Sequence, residues 1–569
     1  MPYDHSVDIR NEPKVDTDGD RSVDVAFLQP QGYNSLGFPF GIAILANVLK
    51  ANGFSVTIVD ASANNLSSQE AVERIVALNP RLVGITSMAH SSQYCREVSY
   101  GLDKNRPDII QIAGGAWVNE VEEFVLRHTA LDYVVTGEAE DIIAELVDSL
   151  LNSDEVPSLP GLSYLKDGEF VEVLPEKTTG TGKGFMFIPR KSFVQVPYPA
   201  YDLIDMTYYT TDTTPEEYAW FSRVLPRLRK EGKAKQHLRV GCITSGRGCF
   251  GKCDFCGAAR TARRNSDPWS IIMNMKNLMD TYGVNTFLFM ESLTFSSAKW
   301  VKSFCEAVIQ SGLDVYYIAI SRGDFRYDEE LLELLNKSGC VAINIGFESG
   351  SNDMLRAMNK EVTVEQYWKI YEDFMRHEIA VFGQFVTNMP GETPESLALT
   401  AKFVEETKMH FTFGAAHPYA DSQLFHWARE RGFCDVPDVM FTSENKGKFS
   451  RDEVDYYIHR WNFNGFDFDV FYKSWQRLNY IKYKNSLYHK GKYVRYWLAD
   501  HMPVPAFILG ANILSLVKLT RHYVSRIGEI LSDEGMVSGM GTIAEKVRAC
   551  LGRQAPPAPP RADISSLPG

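Results

Sequence analysis

SGRGCFGKCDFCGAAR (Ser245–Arg260) places Cys249, Cys253 and Cys256 within eight residues, in the spacing C-x3-C-x2-C. A structural zinc site needs four ligands, and no fourth stands close. The nearest preceding histidine is His237, and none follows within 100 residues. Cys242 is near but falls inside an apolar strand pattern. Three thiolates suit a cubane iron–sulfur cluster that leaves one iron open to another ligand. Gly246, Gly248, Gly251 and Gly257 free the loop to wrap a bulky group. On spacing alone, an open cluster, a zinc site and chance all stand, with the cluster favoured.

Outward from the triplet the pattern is α/β. The cysteines follow LRVGCIT, and five more short apolar runs come after: NTFLFM, DVYYIAIS, VAINIGF, AVFGQFV and HFTFGAA. Helical segments such as SIIMNMKNLMDTYG and TVEQYWKIYEDFMRHE separate them. Six such units over residues 237–417 predict a partial (β/α)6 barrel with its chemistry at the carboxyl ends of the strands. The triplet sits at that mouth.

Upstream, residues 23–150 show a second alternation, with strands VDVAFL, SVTIVD, LVGITS, IIQIAG and DYVVTG. The spacing predicts a doubly wound parallel sheet that binds ligand at its carboxyl edge. Small or polar residues stand there, at Gln29–Gly32, Ser87–Ser91, Gly114–Trp117 and Gly137-Glu138. Ordinary turn chemistry would give the same residues. Residues 151–236 read as a linker with a hairpin at Asp167-Gly168, a loop TTGTGKG, the bridge VPYPAYDLI and a polar insertion over 206–236. Residues 418–552 read as a helical, aromatic-rich, substrate-shaping domain. The arm 1–22 is expected to be flexible and the proline-rich tail 553–569 disordered.

The chain of 569 residues is long enough for several domains. Its net charge of -13 makes nucleic acid a poor default partner. The apolar run Pro505–Leu519 is shorter than the roughly 20 residues of a membrane span. No secretory signal opens the chain, and nine mostly scattered cysteines do not suggest a disulfide framework. The expected compartment is the cytoplasm.

With Phe255 in the aromatic place, the triplet resembles the C-x3-C-x-aromatic-C signature of the radical S-adenosylmethionine (SAM) superfamily. The resemblance implies a 4Fe–4S cluster on Cys249, Cys253 and Cys256. The open iron would chelate SAM, whose reductive cleavage gives a 5′-deoxyadenosyl radical. GFESGSNDMLRAMNK (Gly346–Lys360) is similar to the fourth-strand segment of the family, with Glu348 as ribose contact. FGQFVTNMPGET (Phe382–Thr393) is similar to the fifth. FMESLTF (Phe289–Phe295) takes the second-strand place at the methionine end of SAM, where Glu291 and Ser292 replace the aspartates of many relatives. Arg322 would face the carboxylate. Phe255 completes the implied SAM set. The capping of a helix by Glu348, or surface pairing of Arg322, would be the ordinary alternatives.

The first domain resembles the cobalamin-binding domain that precedes such barrels. FPFGIAILANVLKANGFSVTIVDA, RPDIIQIAGGAWVNEVEEFVL and DYVVTGEAED carry the likeness. It implies cobalamin contacts at Gln31, Gly32, Gly37, Ser87, Met88, Gly114, Gly115, Trp117, Gly137 and Glu138. The D-x-H-x-x-G motif is absent, so His90 is expected to be structural and cobalamin to bind without a histidine ligand. The implied activity is a cobalamin-dependent radical SAM methyltransferase. Its acceptor would be an unactivated carbon, less readily phosphorus or an aromatic carbon, of a small molecule or natural-product intermediate. In relatives one SAM methylates cobalamin and a second supplies the radical. The alternative is a cyclase, rearrangement or oxidoreductase enzyme without net methyl transfer. A transfer-RNA thiomethylase would carry a second cysteine set upstream, and only Cys95 precedes Cys242. A cobalamin sensor or degenerate barrel would have no need of an intact triplet. The expected partner is an external electron donor such as a flavodoxin or ferredoxin, and no catalytic residue, membrane span or oligomeric state is assigned.

Overall fold

The computed structural model describes residues 23–31, 37–86, 88–153, 155–174, 198–440 and 460–489. The arm 1–22, Gly32, Ser87, the TTGTGKG loop, the apolar run 505–519 and the tail 553–569 lie outside the described residues, as does the rest of 418–552 beyond 489. The chain divides into units Met1–Tyr493 and Val494–Gly569, and every described residue belongs to the first.

Five parallel strands begin the chain: β1 (Val25–Gln29), β2 (Val56–Asp60), β3 (Leu82–Thr86), β4 (Ile110–Gly114) and β5 (Tyr133–Val135). Their order is β2-β1-β3-β4-β5, so connections leave β1 in opposite directions and a crevice opens between β1 and β3. Helices Phe40–Ala51 and Ile143–Asn152 bury Ile42, Leu49 and Leu146 on one face of the sheet. Ser68–Leu78 and Ser92–Asn105 bury Ile75 and Val98 on the other. Cover on both faces explains why these strands read as continuous apolar runs. The hairpin read into the linker is present as β6 (Leu162–Lys166) and β7 (Glu169–Glu172). It is part of this sheet, because β6 pairs antiparallel with β5 and protects its edge.

The second sheet is a curled half-barrel. Its six parallel strands are β9 (Leu238–Ile243), β12 (Thr286–Phe289), β13 (Tyr316–Arg322), β14 (Cys340–Glu348), β15 (Ala380–Thr387) and β16 (His410–Ala415). They lie in chain order, with β8 (Thr211–Thr213) antiparallel beyond β9. A two-stranded ribbon, β10 (Gly246–Arg247) with β11 (Arg264–Asn265), interrupts the first crossover and brackets the cysteine loop. Side chains of Asp267, Ser297, Asp328, Thr363 and Thr393 cap the following crossover helices. Each cap is worth about 1 kcal/mol and fixes where the mouth loop ends.

Two segments outside the half-barrel pack against it. Residues 206–236 are polar in sequence and read as an insertion. Tyr209 donates to Asp60 of the first domain (2.7 Å), while a second apolar group fills the barrel at the strand beginnings. Phe221, Val224 and Leu228 pack with Leu238, Tyr316 and Ala380, which begin or nearly begin their strands. Trp220 stacks on Phe382 at 3.6 Å. The described carboxyl-terminal helix, Phe468–His489, packs along the outer layer. Asn485 donates to the carbonyls of Val404 (2.8 Å) and Met409 (2.9 Å), and Trp475 meets Phe413 edge-on.

Candidate functional site

The cysteine loop is held closed by its own backbone. Thr261 N–H donates to the Cys249 carbonyl (3.0 Å), and Thr261 Oγ1 accepts from Cys249 N–H (2.8 Å). Arg260 N–H reaches the Gly251 carbonyl at 2.7 Å. Asp254 ties the loop to its surroundings, donating to Met358 (3.1 Å) and accepting from Leu424 (2.8 Å). Gly248 lies at φ +84°, and a Cβ there would run into the Ala262 carbonyl. At Gly251 a Cβ would strike Arg322, and at Gly257 the Asp421 carboxylate. Gly248 is therefore required both by turning and by close approach to backbone, whereas at Gly251 and Gly257 the nearest atoms are side-chain ends.

All three thiols turn away from bulk water. Cys249 and Cys253 are buried and Cys256 is half-buried. Burial pushes Cys256 up to about 12, with the Cys253 and Cys249 sulfurs adding to the shift. Cys253 is also raised by burial, although Lys360 and Arg322 pull it back. Such thiols lose their protons when a metal takes their place. Among the described residues no three His, Cys, Asp or Glu side chains form a single-ion site. A cubane asks for something else, one thiolate on each of three irons. The donor set fits the cluster better than zinc.

The carboxyl end of β14 supplies the next group. Glu348 takes the left-handed backbone, φ +64°, where the pairing with β15 shifts register. An irregularity of this kind re-aims a side chain. Its carboxylate lies over Gly346 and accepts from Lys360 Nζ at 2.9 Å, with side chains only 9% and 4% exposed. Burial alone would lower the Lys360 pKa, but Glu348 and Cys253 reverse that and keep it protonated. Arg322, ending β13, is matched by Asp324 (2.9 and 3.0 Å) and points Nη1 at Cys253 Sγ (3.5 Å). Phe255 packs against the core that the two sheets share.

Beyond β12, Glu291 is buried against Arg263 (3.6 Å) and takes a hydrogen bond from Ser245. Burial raises Glu291 and lowers Arg263. Glu291 Oε2 and Arg263 Nη1 are left without a partner of hydrogen-bonding geometry. Ser292, beside them, is exposed.

A cavity of about 400 Å³ joins this corner to the first domain. Its barrel wall includes Thr244, Gly248, Thr261, Glu291 and Ser292. The facing wall includes Gly114, Gly115, Gly137 and Glu138, and the deep end runs down an apolar slot beside Phe27, Leu45, Ile112 and Val147. Gly115 and Gly137 have φ of +92° and +87°, which leaves their backbones bare toward the cavity. A bare, glycine-lined edge over an apolar slot fits a large corrinoid with an apolar appendage.

The structure gathers Gly114, Gly115, Gly137 and Glu138 at one place. Trp117 braces them from behind: it is 2% exposed and donates Nε1–H to the Gly114 carbonyl (3.0 Å). Gln31 is bonded to Asn65 (2.8 Å), Gly37 is half-buried, and Met88 is 45% exposed. His90 lies close enough to disfavour the protonation of His417, which burial already pushes down to about 4. Sequence reasoning missed Lys360, Asp421 and the arginines Arg247, Arg263 and Arg264. The arginines flank the cysteine motif as SGRG and TARRN, a density that was readable.

Comparisons with known proteins agree with this geometry. The B12 binding domain family matches residues 33–147 and the Radical SAM superfamily residues 243–404. An uncharacterized methyltransferase of Pyrococcus horikoshii is 25% identical over 434 residues, covering 73% of this chain and 86% of that protein. The anaerobic magnesium-protoporphyrin IX monomethyl ester cyclase of Rubrivivax gelatinosus is 26% identical over 394 residues, 68% of this chain and 65% of that one. Among solved structures, the radical S-adenosylmethionine methyltransferase TsrM of Kitasatospora setae superposes with a TM-score of 0.56. It shares 17% identity, and the match covers 72% of this chain and 76% of that one. The chain thus carries a B12 binding domain followed by a Radical SAM domain, and its cofactors are a 4Fe–4S cluster, SAM and cobalamin.

Proposed function

We propose that this enzyme transfers a methyl group to an unactivated carbon of a small molecule or natural-product intermediate. The shared cavity carries the reading, because one space is walled by the glycine turns of the first domain and by the cluster loop of the barrel. Substrate held between two cofactors gains the rate advantage of proximity. When bound, those cofactors supply a carbon radical and a transferable methyl group.

The chain's own residues bind and orient. Cys249, Cys253 and Cys256 would hold the cluster. The unpartnered Glu291 Oε2 and Arg263 Nη1 offer an acceptor and a donor to the ammonium and carboxylate of SAM, with Ser292 beside them. Glu348, fixed by Lys360, would accept from the ribose. Arg322 places positive charge on Cys253, and Phe255 packs the loop behind it. Gly114, Gly115 and Gly137 admit the corrin, with Gln31, Gly37, Met88 and Glu138 at its edge. This assigns residues 23–150 to cobalamin and 237–417 to the radical. The reading places the enzyme in the cytoplasm, reduced by a flavodoxin or ferredoxin. Among the described residues no helix is long and apolar enough to cross a membrane.

The cyclase relative supports the alternative without methyl transfer. Anaerobic incubation with reductant, SAM and candidate substrates separates the two. S-adenosylhomocysteine and 5′-deoxyadenosine forming with a product one methyl heavier is expected. Deoxyadenosine with an unmethylated product refutes methyl transfer.

A further inference from the structure

The ribbon that brackets the cysteine loop has an electrostatic fault. Arg247 and Arg264 stand directly opposite each other in β10 and β11. Like charges in that position repel, and a ribbon of two residue pairs is too short to hold itself together. Every cysteine of the motif lies between those two arginines in the chain.

The neutralising charges come from the other domain. After β5 the chain turns through Gly137, Glu138, Ala139 and Glu140, and all four line the shared cavity. Glu138 accepts from both terminal nitrogens of Arg264, at 3.0 Å from Nη1 and more closely from Nη2. The same carboxylate lies 3.4 Å from Arg247 Nη1, while Glu140 pairs with Arg247 Nη2. The two carboxylates are 8% and 3% exposed. One carboxylate thus spans both strands of the ribbon, and a second secures the strand that leads into Cys249.

We propose that Glu138 and Glu140 are positioning residues that couple the cobalamin site to the cluster. The turn that carries them is also the cavity wall beside Gly137, so a ligand that orders this wall orders the ribbon and the cysteine loop with it. By reciprocity, a cluster that orders the loop tightens cobalamin binding by the same factor. The inference rests on the three cysteines holding a cluster, and it does not depend on methyl transfer.

Reconstituted enzyme, held anaerobically, is mixed with a ferrous chelator, and loss of the cluster's visible absorption is timed with and without hydroxocobalamin. In the wild type cobalamin slows the loss about tenfold, within the ordinary range of site–site coupling. In Glu138→Gln, with or without Glu140→Gln, the loss is faster and cobalamin no longer slows it. Glu123→Gln, which breaks an exposed pair with Arg127, keeps the wild-type response. A Glu138→Gln protein with the wild-type lifetime and the wild-type cobalamin effect overturns the proposal. Should that variant not fold, hydroxocobalamin affinity of the wild type is titrated with and without cluster, and equal affinities overturn it too. Failure of the wild type to gain cluster absorption would instead refute the assignment of the cysteines.

Discussion

Replacing Lys360 with methionine tests the interior of the site. Lys360 and Glu348 meet at 2.9 Å with side chains 4% and 9% exposed. At an effective dielectric near 20, two unit charges at that separation attract by roughly 5–6 kcal/mol. Removing one partner strands the other, which costs about 3–5 kcal/mol for a buried pair against about 1 kcal/mol or less for an exposed one. Glu348 has little room to escape, because its backbone is left-handed and its carboxylate lies against Gly346. Lys360→Met should therefore lower the thermal midpoint markedly. The double variant Lys360→Met with Glu348→Gln should recover much of the loss, since no buried charge is then left unmatched. SAM affinity, read by equilibrium dialysis on the reconstituted enzyme, should fall in both. Were the single variant as stable as wild type, or the double no better than the single, the pair would not be the buried, interdependent unit described.

Three further outcomes follow from the packing. Gly248→Ala forces a side chain into a left-handed backbone and onto the Ala262 carbonyl; about 2–5 kcal/mol of local strain should abolish cluster incorporation. Gly41→Ala, with open space around its Cβ, should incorporate iron normally, and equal iron content in the two would refute the close-approach argument. Burial raises Glu392 from 4.5 to about 8, so the folded state holds a proton that the unfolded state gives up. The stability this contributes is complete below about pH 4.5 and lost as pH rises through 8, by at most roughly 5 kcal/mol. Glu392→Gln should flatten that decline, and parallel profiles of midpoint against pH would contradict it. Phe221→Ala should cost about 3–5 kcal/mol yet leave cobalamin and SAM affinities unchanged, because Phe221 lies at the strand beginnings; altered affinities would count against that placement.

What the sequence revealed depended on whether a signal was local. Three cysteines at fixed spacing, six apolar runs and the glycines of two strand ends are local patterns, and each led to its place. The role of residues 206–236 was hidden because Phe221, Val224 and Leu228, though spaced like one helix face, sit in a mostly polar stretch, and only the tertiary fold brings Phe221 to Tyr316. The resemblance implies Trp117 as a ligand contact; its indole is buried and bonds back to the Gly114 carbonyl. Glu138 stood out as a strand-end acid. Nothing near it in sequence could name Arg264 as its partner, because the two are 126 residues apart.

The aromatic filling beneath the barrel has a consequence for traffic. Phe221, Trp220 and Phe382 make this half-barrel a cup rather than a tube. Among the described residues, the rim where the cysteine loop lies is also the rim that the first domain overhangs. Passage of SAM and its spent fragments through the strand beginnings is then closed off, and exchange falls to the rim side.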